Sequence, residues 1–233
     1  MMRQKRLAAR HVLMARLDGM GDPLMTGPAI RALKGAVPGR TVTALASPAG
    51  SARAWGAGPQ AEGRPLVVLH PEASEPARRT PEEPYATVLR LLEHGLDAAC
   101  VLTGADGERD PLRRIRPAAR SDAAVACAIS LAELAGLPQP SDVVVTDNAG
   151  PAHLATAVET PVVVLYALTN PPHTPWTAAS RVPSADVPCR NCFKSVFPSG
   201  HLRCLHDASP RQVADPATEL LLDGAALARR ALC

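Results

Sequence analysis

The hydrophobic positions of this chain form short runs separated by turn residues, and the same rhythm occurs twice. The first round has an apolar run at residues 12–17, a glycine-containing turn at residues 18–22 and a second apolar run at residues 41–46. Asp22 followed by Pro23 is a typical helix start, with Asp22 as the N-cap. This order predicts a strand, a helix and a second, parallel strand.

The two rounds are separated by residues 47–65, which are rich in Ala, Gly and Pro and have no hydrophobic period. We interpret this stretch as a linker or as the junction of an internal deletion. The predicted domain organisation is a partial N-terminal half at residues 1–50, a junction at residues 51–64 and a C-terminal half at residues 65–233.

The second round begins at residue 66 and alternates strands with helices. It predicts strands at residues 66–69, 98–102, 143–145 and 161–166, and helices at residues 85–93, 111–115, 130–135 and 150–158. Two such arrays predict an α/β fold of two Rossmann-like, doubly wound parallel-sheet halves. At the end of the chain, Ser209 and Pro210 indicate a C-terminal helix, which Pro216 is expected to break or restart.

Composition narrows the classes of protein. The 233 residues are 46% hydrophobic and 20% charged, which is typical of a globular protein, and the net charge is only +3. Few aromatic residues and a mild charge argue against a nucleic-acid partner. No apolar run approaches the roughly 20 residues of a membrane span, and the basic first ten residues lack a signal-peptide core. We expect a cytoplasmic protein, and whether its basic N-terminus contacts the anionic inner membrane surface stays open.

Polar loops follow three of the predicted strands, where open α/β sheets bind ligands. The first contains Asp18, Gly19, Gly21 and Asp22, so its backbone can approach a ligand closely. Asp22 is either a general base or only the cap of the helix that it precedes.

The second loop, residues 70–80, contains the pair Arg78 and Arg79, which either neutralises a diphosphate without a metal or is ordinary solvated surface. The third loop runs into a predicted helix whose N-terminal amides would face an anion. Its candidate binding residues are Asn148, Ala149, Gly150 and His153. For His153 the alternative is a core or capping histidine.

The cysteines suggest one further alternative. Cys189, Cys192, His201 and Cys204 have a spacing that could hold Zn²⁺, whereas the simpler interpretation is a reduced, partly buried loop. We expect no metal ion and no cofactor at the functional site, and these four residues are the alternative metal site.

Four blocks of the sequence, in order, resemble glycosyltransferase family 9, the lipopolysaccharide heptosyltransferases. These blocks are residues 16–29, 69–79, 145–161 and 166–176. The resemblance implies a GT-B fold in which the N-terminal half binds an acceptor sugar and the C-terminal half binds a nucleotide-sugar donor. It implies an inverting, metal-independent transfer of heptose, with ADP-heptose as the expected donor, to a lipopolysaccharide-core or related glycan, whether lipid-linked or not.

The same resemblance implies roles for individual residues. Asp22 is similar in position to the general base, within the acceptor loop that also contains Asp18, Gly19 and Gly21. Arg78 or Arg79 corresponds to the basic position beside the donor phosphates. The loop containing Asn148, Ala149, Gly150 and His153 corresponds to the segment that holds the diphosphate.

The sequence also departs from the family pattern. Glu72 stands where the family commonly has Gly, and its carboxylate would repel the donor phosphates. Ala149 stands where the family usually has Ser or Thr, so a hydroxyl donor to phosphate is missing. The predicted N-terminal half is short, with two strands where an independent half-domain needs more. These departures keep a second interpretation open, namely a non-catalytic homologue that only binds a nucleotide or a protein partner.

Overall fold

The structure is a computed structural model, and it describes residues 11–16, 32–33, 35–46, 64–71, 79–127, 134, 141–166, 178–188 and 203–231. The chain divides into two compact units, Met1–Ala52 and Arg53–Cys233. The division lies within the low-complexity stretch noted in the sequence.

The first unit contains a two-stranded parallel sheet. Strand β1 (His11–Arg16) pairs with strand β2 (Thr41–Ala46) in continuous register from His11 opposite Thr41 to Arg16 opposite Ala46. Gly39 precedes β2 with a φ of 73°, a left-handed conformation that glycine adopts without steric strain. Both strands were predicted from the first round of the pattern.

The second unit contains a six-stranded, fully parallel sheet. Its strands are β3 (Leu66–His70), β4 (Ala99–Gly104), β5 (Ala124–Cys127), β6 (Val143–Asp147), β7 (Val162–Leu165) and β8 (Ser180–Arg181). Their order across the sheet is β5-β4-β3-β6-β7-β8. The central strands consist of consecutive buried residues, as expected for a parallel sheet covered on both faces.

Five helices accompany this sheet in the described residues. They are α1 (Glu82–Leu96), α2 (Arg109–Ala119), α3 (Gly150–Ala157), α4 (Arg203–His206) and α5 (Pro210–Ala231), with a 3₁₀ turn at Asp106–Glu108. In the part of the chain that is described, none of these helices has the length and apolarity needed to cross a bilayer.

The alternation of side chains along β3 explains the layers. Val67 and Leu69 belong to the larger core cluster, which contains buried residues of α1, α2 and α5, whereas Val68 packs with Ala152 and Ala155 of α3. Successive residues of a strand point to opposite faces, so one strand contributes to two hydrophobic cores. The α/β fold class predicted from the sequence is confirmed.

Three details differ from the sequence predictions. Strands β5 and β8 were not predicted, because one is only partly buried and the other has two residues. Pro216 does not break the C-terminal helix, which is continuous from Pro210 to Ala231. Val213 and Ala217, on either side of it, are buried in the larger core, so tertiary packing outweighs the backbone hydrogen bond that a proline removes.

The start of α5 does follow the sequence signal. The Gln212 amide donates to the Ser209 hydroxyl at 3.3 Å, and the Ser209 amide donates to the Gln212 side-chain oxygen at 2.7 Å. This reciprocal pair is a capping box, and it satisfies two helix-end donors.

Candidate functional site

The strand order places a topological switch between β3 and β6. From β3 the chain proceeds to β4 and β5 on one side, then returns to β6 on the other side of β3. His70 at the end of β3 lies opposite Thr146 of β6 in the parallel register. In open α/β sheets, the crevice at the carboxyl ends of the strands beside such a switch is the usual ligand-binding position.

Asp147, the last residue of β6, is fully buried and organises this edge of the sheet. Its carboxylate accepts hydrogen bonds from the Thr80 amide at 2.8 Å, the Thr80 hydroxyl at 2.6 Å and the Tyr85 hydroxyl at 3.2 Å. Three donors compensate for the removal of a carboxylate from water. Asp147 therefore anchors the start of α1 to the end of β6.

This anchor fixes the position of the backbone next to Arg79, the second residue of the predicted arginine pair. Arg79 directly precedes Thr80 and is exposed, so the backbone holds it one residue from the Asp147 anchor. Arg78 lies outside the described residues. Among the predicted donor-binding residues, the structure thus brings Arg79 to the same sheet edge as the loop that follows β6.

Asn148 is the next residue after Asp147, and its side chain has an uncompensated donor. The residue is 3% exposed, and its Nδ2 is buried without a hydrogen-bond partner in the described structure. Its backbone amide donates to the Leu165 carbonyl at 3.1 Å, which ties the loop to the end of β7. A buried donor without a partner destabilises a protein by about 1–3 kcal/mol, so this amide is suited to an acceptor from a ligand.

Helix α3 begins directly after Asn148. Ala149 is its N-cap in extended conformation, with no side-chain hydrogen bond capping the helix, and Gly150 is its first residue. The first amides of a helix lack partners within the helix, and the helix dipole favours an anion there. His153 lies one turn inside α3 and is buried.

His70 contributes a neutral imidazole to the same edge. Its Nδ1 lies 2.9 Å from the Thr103 hydroxyl oxygen, which lies 3.3 Å from the Leu69 carbonyl oxygen. The carbonyl can only accept, so the single hydroxyl hydrogen of Thr103 is donated there and His70 Nδ1–H donates to Thr103. Burial lowers the pKa of His70 to about 4, and its Nε2 therefore carries a lone pair at neutral pH.

The described part of the site thus combines three kinds of group around the switch. Asn148 and the α3 terminus supply neutral donors, His70 supplies an acceptor, and Arg79 supplies a nearby positive charge. This set is suited to a phosphate-bearing ligand with hydroxyl groups. Among the described residues, no group of three or more His, Cys, Asp or Glu side chains is arranged to hold a metal.

Several predicted residues lie outside the described part of the chain. These are Asp18, Gly19, Gly21, Asp22, Glu72, Arg78, Cys189, Cys192 and His201. Of the proposed zinc cluster, the structure describes Cys204, which is buried in α4 with Ala185, Val187 and Leu205. The roles assigned to all of these residues stay predictions.

The residues that support the site were not predicted from the sequence in that role. Thr80 stood out only as a departure from the family pattern, where an aromatic residue is usual, Tyr85 and Thr103 had no assigned role, and Asp147 was only part of a loop. The signal for Asp147 was a carboxylate that directly continues a buried apolar strand, which requires compensation by hydrogen bonds. The partners of Asp147 are 62 and 67 positions away in sequence, so no local pattern identifies them.

A parallel sheet with polar groups and a helix terminus at its switch point is typical of nucleotide-binding α/β proteins. Comparison with known sequences gives the particular family: residues 42–202 match glycosyltransferase family 9 (heptosyltransferase). Because the match covers more than half of the chain, the protein belongs to this family, as the sequence resemblance indicated.

Individual relatives agree with this assignment. The chain is 28% identical over 82 residues to lipooligosaccharide heptosyltransferase 2 of Campylobacter jejuni subsp. jejuni serotype O:2, covering 34% of this chain and 26% of the relative. It therefore spans about a quarter of that curated protein.

Two solved structures show the fold. A glycosyl transferase family 9 protein from Veillonella parvula DSM 2008 aligns with a TM-score of 0.78 at 15% identity, over 93% of this chain and 98% of that chain. The ADP-heptose lps heptosyltransferase II of E. coli aligns with a TM-score of 0.57 at 23% identity, over 70% of this chain and 48% of that chain. The predicted GT-B-like fold class is confirmed.

Proposed function

We propose that this protein transfers a heptose from a nucleotide-heptose, with ADP as the nucleotide, to a lipopolysaccharide-core or related glycan acceptor. Membership of the heptosyltransferase family supports the reaction class. The E. coli structural relative, an ADP-heptose lps heptosyltransferase II, supports the choice of donor. The proposed acceptor is lipid-linked or core oligosaccharide, reached by a cytoplasmic protein that touches the inner membrane only peripherally.

The proposed step is a direct, inverting displacement. Asp22 takes the proton of an acceptor hydroxyl, and the acceptor oxygen forms a bond to the anomeric carbon of the heptose. The bond from that carbon to the phosphate oxygen breaks, and its electron pair leaves with the nucleoside diphosphate. Asp18, Gly19 and Gly21 hold the acceptor beside Asp22, and no metal ion or cofactor takes part.

The donor residues stabilise the negative charge that develops on the leaving diphosphate. Arg78 and Arg79 supply positive charge, while Asn148 and the backbone amides at Ala149 and Gly150 supply directed donors. His153 helps to orient this loop from the first turn of α3. Donors that are already in place need no reorganisation as the charge develops, which is what makes them effective.

One observation supports the donor site above the others, namely the buried Nδ2 of Asn148 without a partner. In the free protein this donor destabilises the fold, since nothing compensates for the loss of its contacts with water. A phosphate oxygen or a sugar hydroxyl of the donor would supply the missing acceptor. The proposal therefore predicts opposite effects of this side chain on stability and on ligand affinity.

The test is the Asn148→Leu variant, which has nearly the same shape and no polar atoms. We expect its ligand-free unfolding free energy to rise by as much as about 1 kcal/mol, because an uncompensated donor is removed. We expect its affinity for ADP and for ADP-heptose to fall by about tenfold or more, since a donor to a charged phosphate contributes roughly 1.5–3 kcal/mol. Chemical denaturation and isothermal titration calorimetry measure the two quantities.

Asp142→Leu is the matched control, since this exposed residue lies at the amino-terminal end of β6. It should leave ADP affinity unchanged. Equal affinities of Asn148→Leu and the unaltered protein for ADP would contradict the proposed donor site.

A second variant separates the proposed transferase from the alternative, a non-catalytic homologue that binds a nucleotide or a protein partner only. Asp22→Asn should retain ADP binding and lose transfer of labelled heptose, because only the base is removed. Binding of ADP-heptose by the unaltered protein without any transfer would instead support the non-catalytic alternative.

A further inference from the structure

Helix α2 carries a concentration of positive charge that the proposed donor site does not use. Residues 109–120 contain five arginines and one aspartate. Arg109, Arg113 and Arg116 follow the spacing i, i+4 and i+7, which places them along one face of the helix. Leu112, Ile115 and Ala119 of the same helix are buried, so this arginine face lies beside the core-facing stripe.

The arginine face lines a cavity of about 490 Å³. The described residues around the cavity are Arg109, Arg113, Arg116, Pro117, Ser121 and Val125. Val125 belongs to β5, so the cavity lies where α2 approaches the outermost strand of the sheet. Three arginines therefore line one concave surface, with Arg113 and Arg116 exposed to solvent and Arg109 partly buried.

The acidic residues near the arginine face do not line the cavity. Arg114, on another face of α2, forms a two-point ion pair with Glu82 of α1, at 2.6 and 2.8 Å. Glu93 accepts the Ser121 hydroxyl at 2.7 Å. Asp110 and Asp122 are exposed, and neither lines the arginine cavity.

The side chains of Arg113 and Arg116, in contrast, form no hydrogen bond or ion pair with any part of the chain that the structure describes. Like charges three residues apart on a helix repel each other by a few tenths of a kcal/mol. The concave shape adds a second feature, because a bound anion would contact several guanidinium groups at once. Planar guanidinium donors are matched to the oxygen atoms of phosphate groups.

We propose that the cavity between α2 and β5 is a binding site for a phosphate group, held mainly by Arg113 and Arg116. The site lies at α2 and β5, whereas the donor residues follow β3 and β6, and the proposal does not rest on the proposed function. Ser121 donates its own hydroxyl hydrogen to Glu93, so it contributes no donor to the anion. The phosphate group is either free in solution or part of a lipid headgroup, and the test separates these two sources.

The first experiment is an NMR titration of the full ¹⁵N-labelled chain with inorganic phosphate at constant ionic strength. Arginine Nε–Hε signals are assigned by the single variants Arg113→Gln and Arg116→Gln. No nucleotide is added, because the diphosphate of a nucleotide would compete with inorganic phosphate for the arginines. We expect saturable shifts of the Arg113 and Arg116 signals with one common dissociation constant.

The double variant Arg113→Gln/Arg116→Gln should weaken phosphate binding at the remaining Arg109 signal by about tenfold or more, since each charge-assisted hydrogen bond contributes substantially. The matched control is Arg90→Gln/Arg211→Gln, which removes the same charge from exposed positions on α1 and α5. This control should bind phosphate as the unaltered protein does. Linear shifts of Arg113 and Arg116, equal to those of Arg90 and Arg211, would overturn the proposal.

The second experiment identifies the source of the phosphate group. The protein is sedimented with vesicles of phosphatidylglycerol in phosphatidylcholine, and with vesicles of phosphatidylcholine alone. Retention on the anionic vesicles that the cavity double variant loses and the control double variant keeps assigns the site to a lipid headgroup. Saturable phosphate binding without such retention assigns it to a free phosphate or a soluble phosphate ester.

Discussion

Two regions of the six-stranded sheet differ in how their polar groups are compensated. At the junction of β3 and β6, the buried carboxylate of Asp147 has three donors, and the buried imidazole of His70 is neutral and hydrogen-bonded. Beside β5, the exposed side chains of Arg113 and Arg116 on α2 have no hydrogen-bond or ion-pair partner among the described residues. Water solvates an exposed charge, whereas a buried polar group depends on the protein for its partners.

The absence of a hydrogen-bond partner therefore has a different meaning for an exposed side chain and for a buried one. An unpaired arginine at the surface is common, so the proposal at α2 depends on several arginines lining one cavity. A buried side-chain amide whose Nδ2 has no partner among the described residues is rare, so the proposal at Asn148 depends on that one atom. Substitutions in the two regions should accordingly change the free energy of unfolding by different amounts.

The largest effect is expected at Asp147. Asp147→Ala removes the acceptor of three hydrogen bonds, from the Thr80 amide, the Thr80 hydroxyl and the Tyr85 hydroxyl, and should lower the free energy of unfolding by about 3–5 kcal/mol. Asp142→Ala removes a carboxylate that accepts one hydrogen bond, from Leu66 at 2.7 Å, and should lower it by about 1 kcal/mol. Urea denaturation measures both, and equal losses would show that burial does not distinguish the two carboxylates.

An intermediate effect is expected at His70 when the pH is lowered. Because burial lowers the pKa of His70 to about 4, the unfolded chain binds the extra proton more readily than the folded protein between pH 6.5 and pH 4. The titration of His70 therefore costs no stability above pH 6.5, and it lowers the free energy of unfolding by about 3 kcal/mol as the pH approaches 4.

The control for this prediction is His70→Asn, whose Nδ2 can still donate to Thr103 but does not titrate. Its unfolding free energy, followed by denaturation from pH 7 to pH 4, should fall less than that of the unaltered protein. Parallel curves for the two proteins would contradict the assignment of a buried, neutral His70.

The smallest effects are expected on α2. Arg114→Gln breaks the exposed ion pair with Glu82 and should lower the free energy of unfolding by less than about 1 kcal/mol, with less effect at high salt. The Arg114 hydrogen bond lowers the pKa of Glu82, so its contribution is present above the ordinary glutamate pKa and is lost as the pH falls below it.

Arg113→Gln, one position earlier on the same helix, provides the comparison. It should be neutral or stabilising by a few tenths of a kcal/mol, because it relieves repulsion from Arg116. Thermal denaturation at low salt measures both variants. A larger loss in Arg113→Gln than in Arg114→Gln would mean that Arg113 has a structural partner after all.

Local patterns predicted most of the second sheet. Strand β3 is a run of apolar residues that ends at His70, and β6 and β7 are valine-rich runs, so their positions follow from hydrophobicity alone. Strand β5 was not predicted because it has only four residues and these are partly exposed. Helix α5 was predicted to break at Pro216, since a local rule contains no information on the core that holds the helix together.

For the candidate site, the sequence by itself determined which loops follow strands and which polar residues they contain. It placed Asn148, Gly150 and His153 at the start of a helix, and the family resemblance rested on the same residues. These features are local, because a strand end, a turn and a helix cap involve only a few consecutive residues.

Only the tertiary structure decided how those loops are supported and which of their polar groups are compensated. It joined Thr80 to Asp147 across 67 positions and His70 to Thr103 across 33, and among the described residues it gave the adjacent Nδ2 of Asn148 no partner. Burial and hydrogen-bond partners depend on which strands become neighbours in the sheet, and the strand order β4-β3-β6 brings distant residues to one edge. Local sequence contains no such information, since the energy of a buried polar group is set by the atoms that surround it after folding.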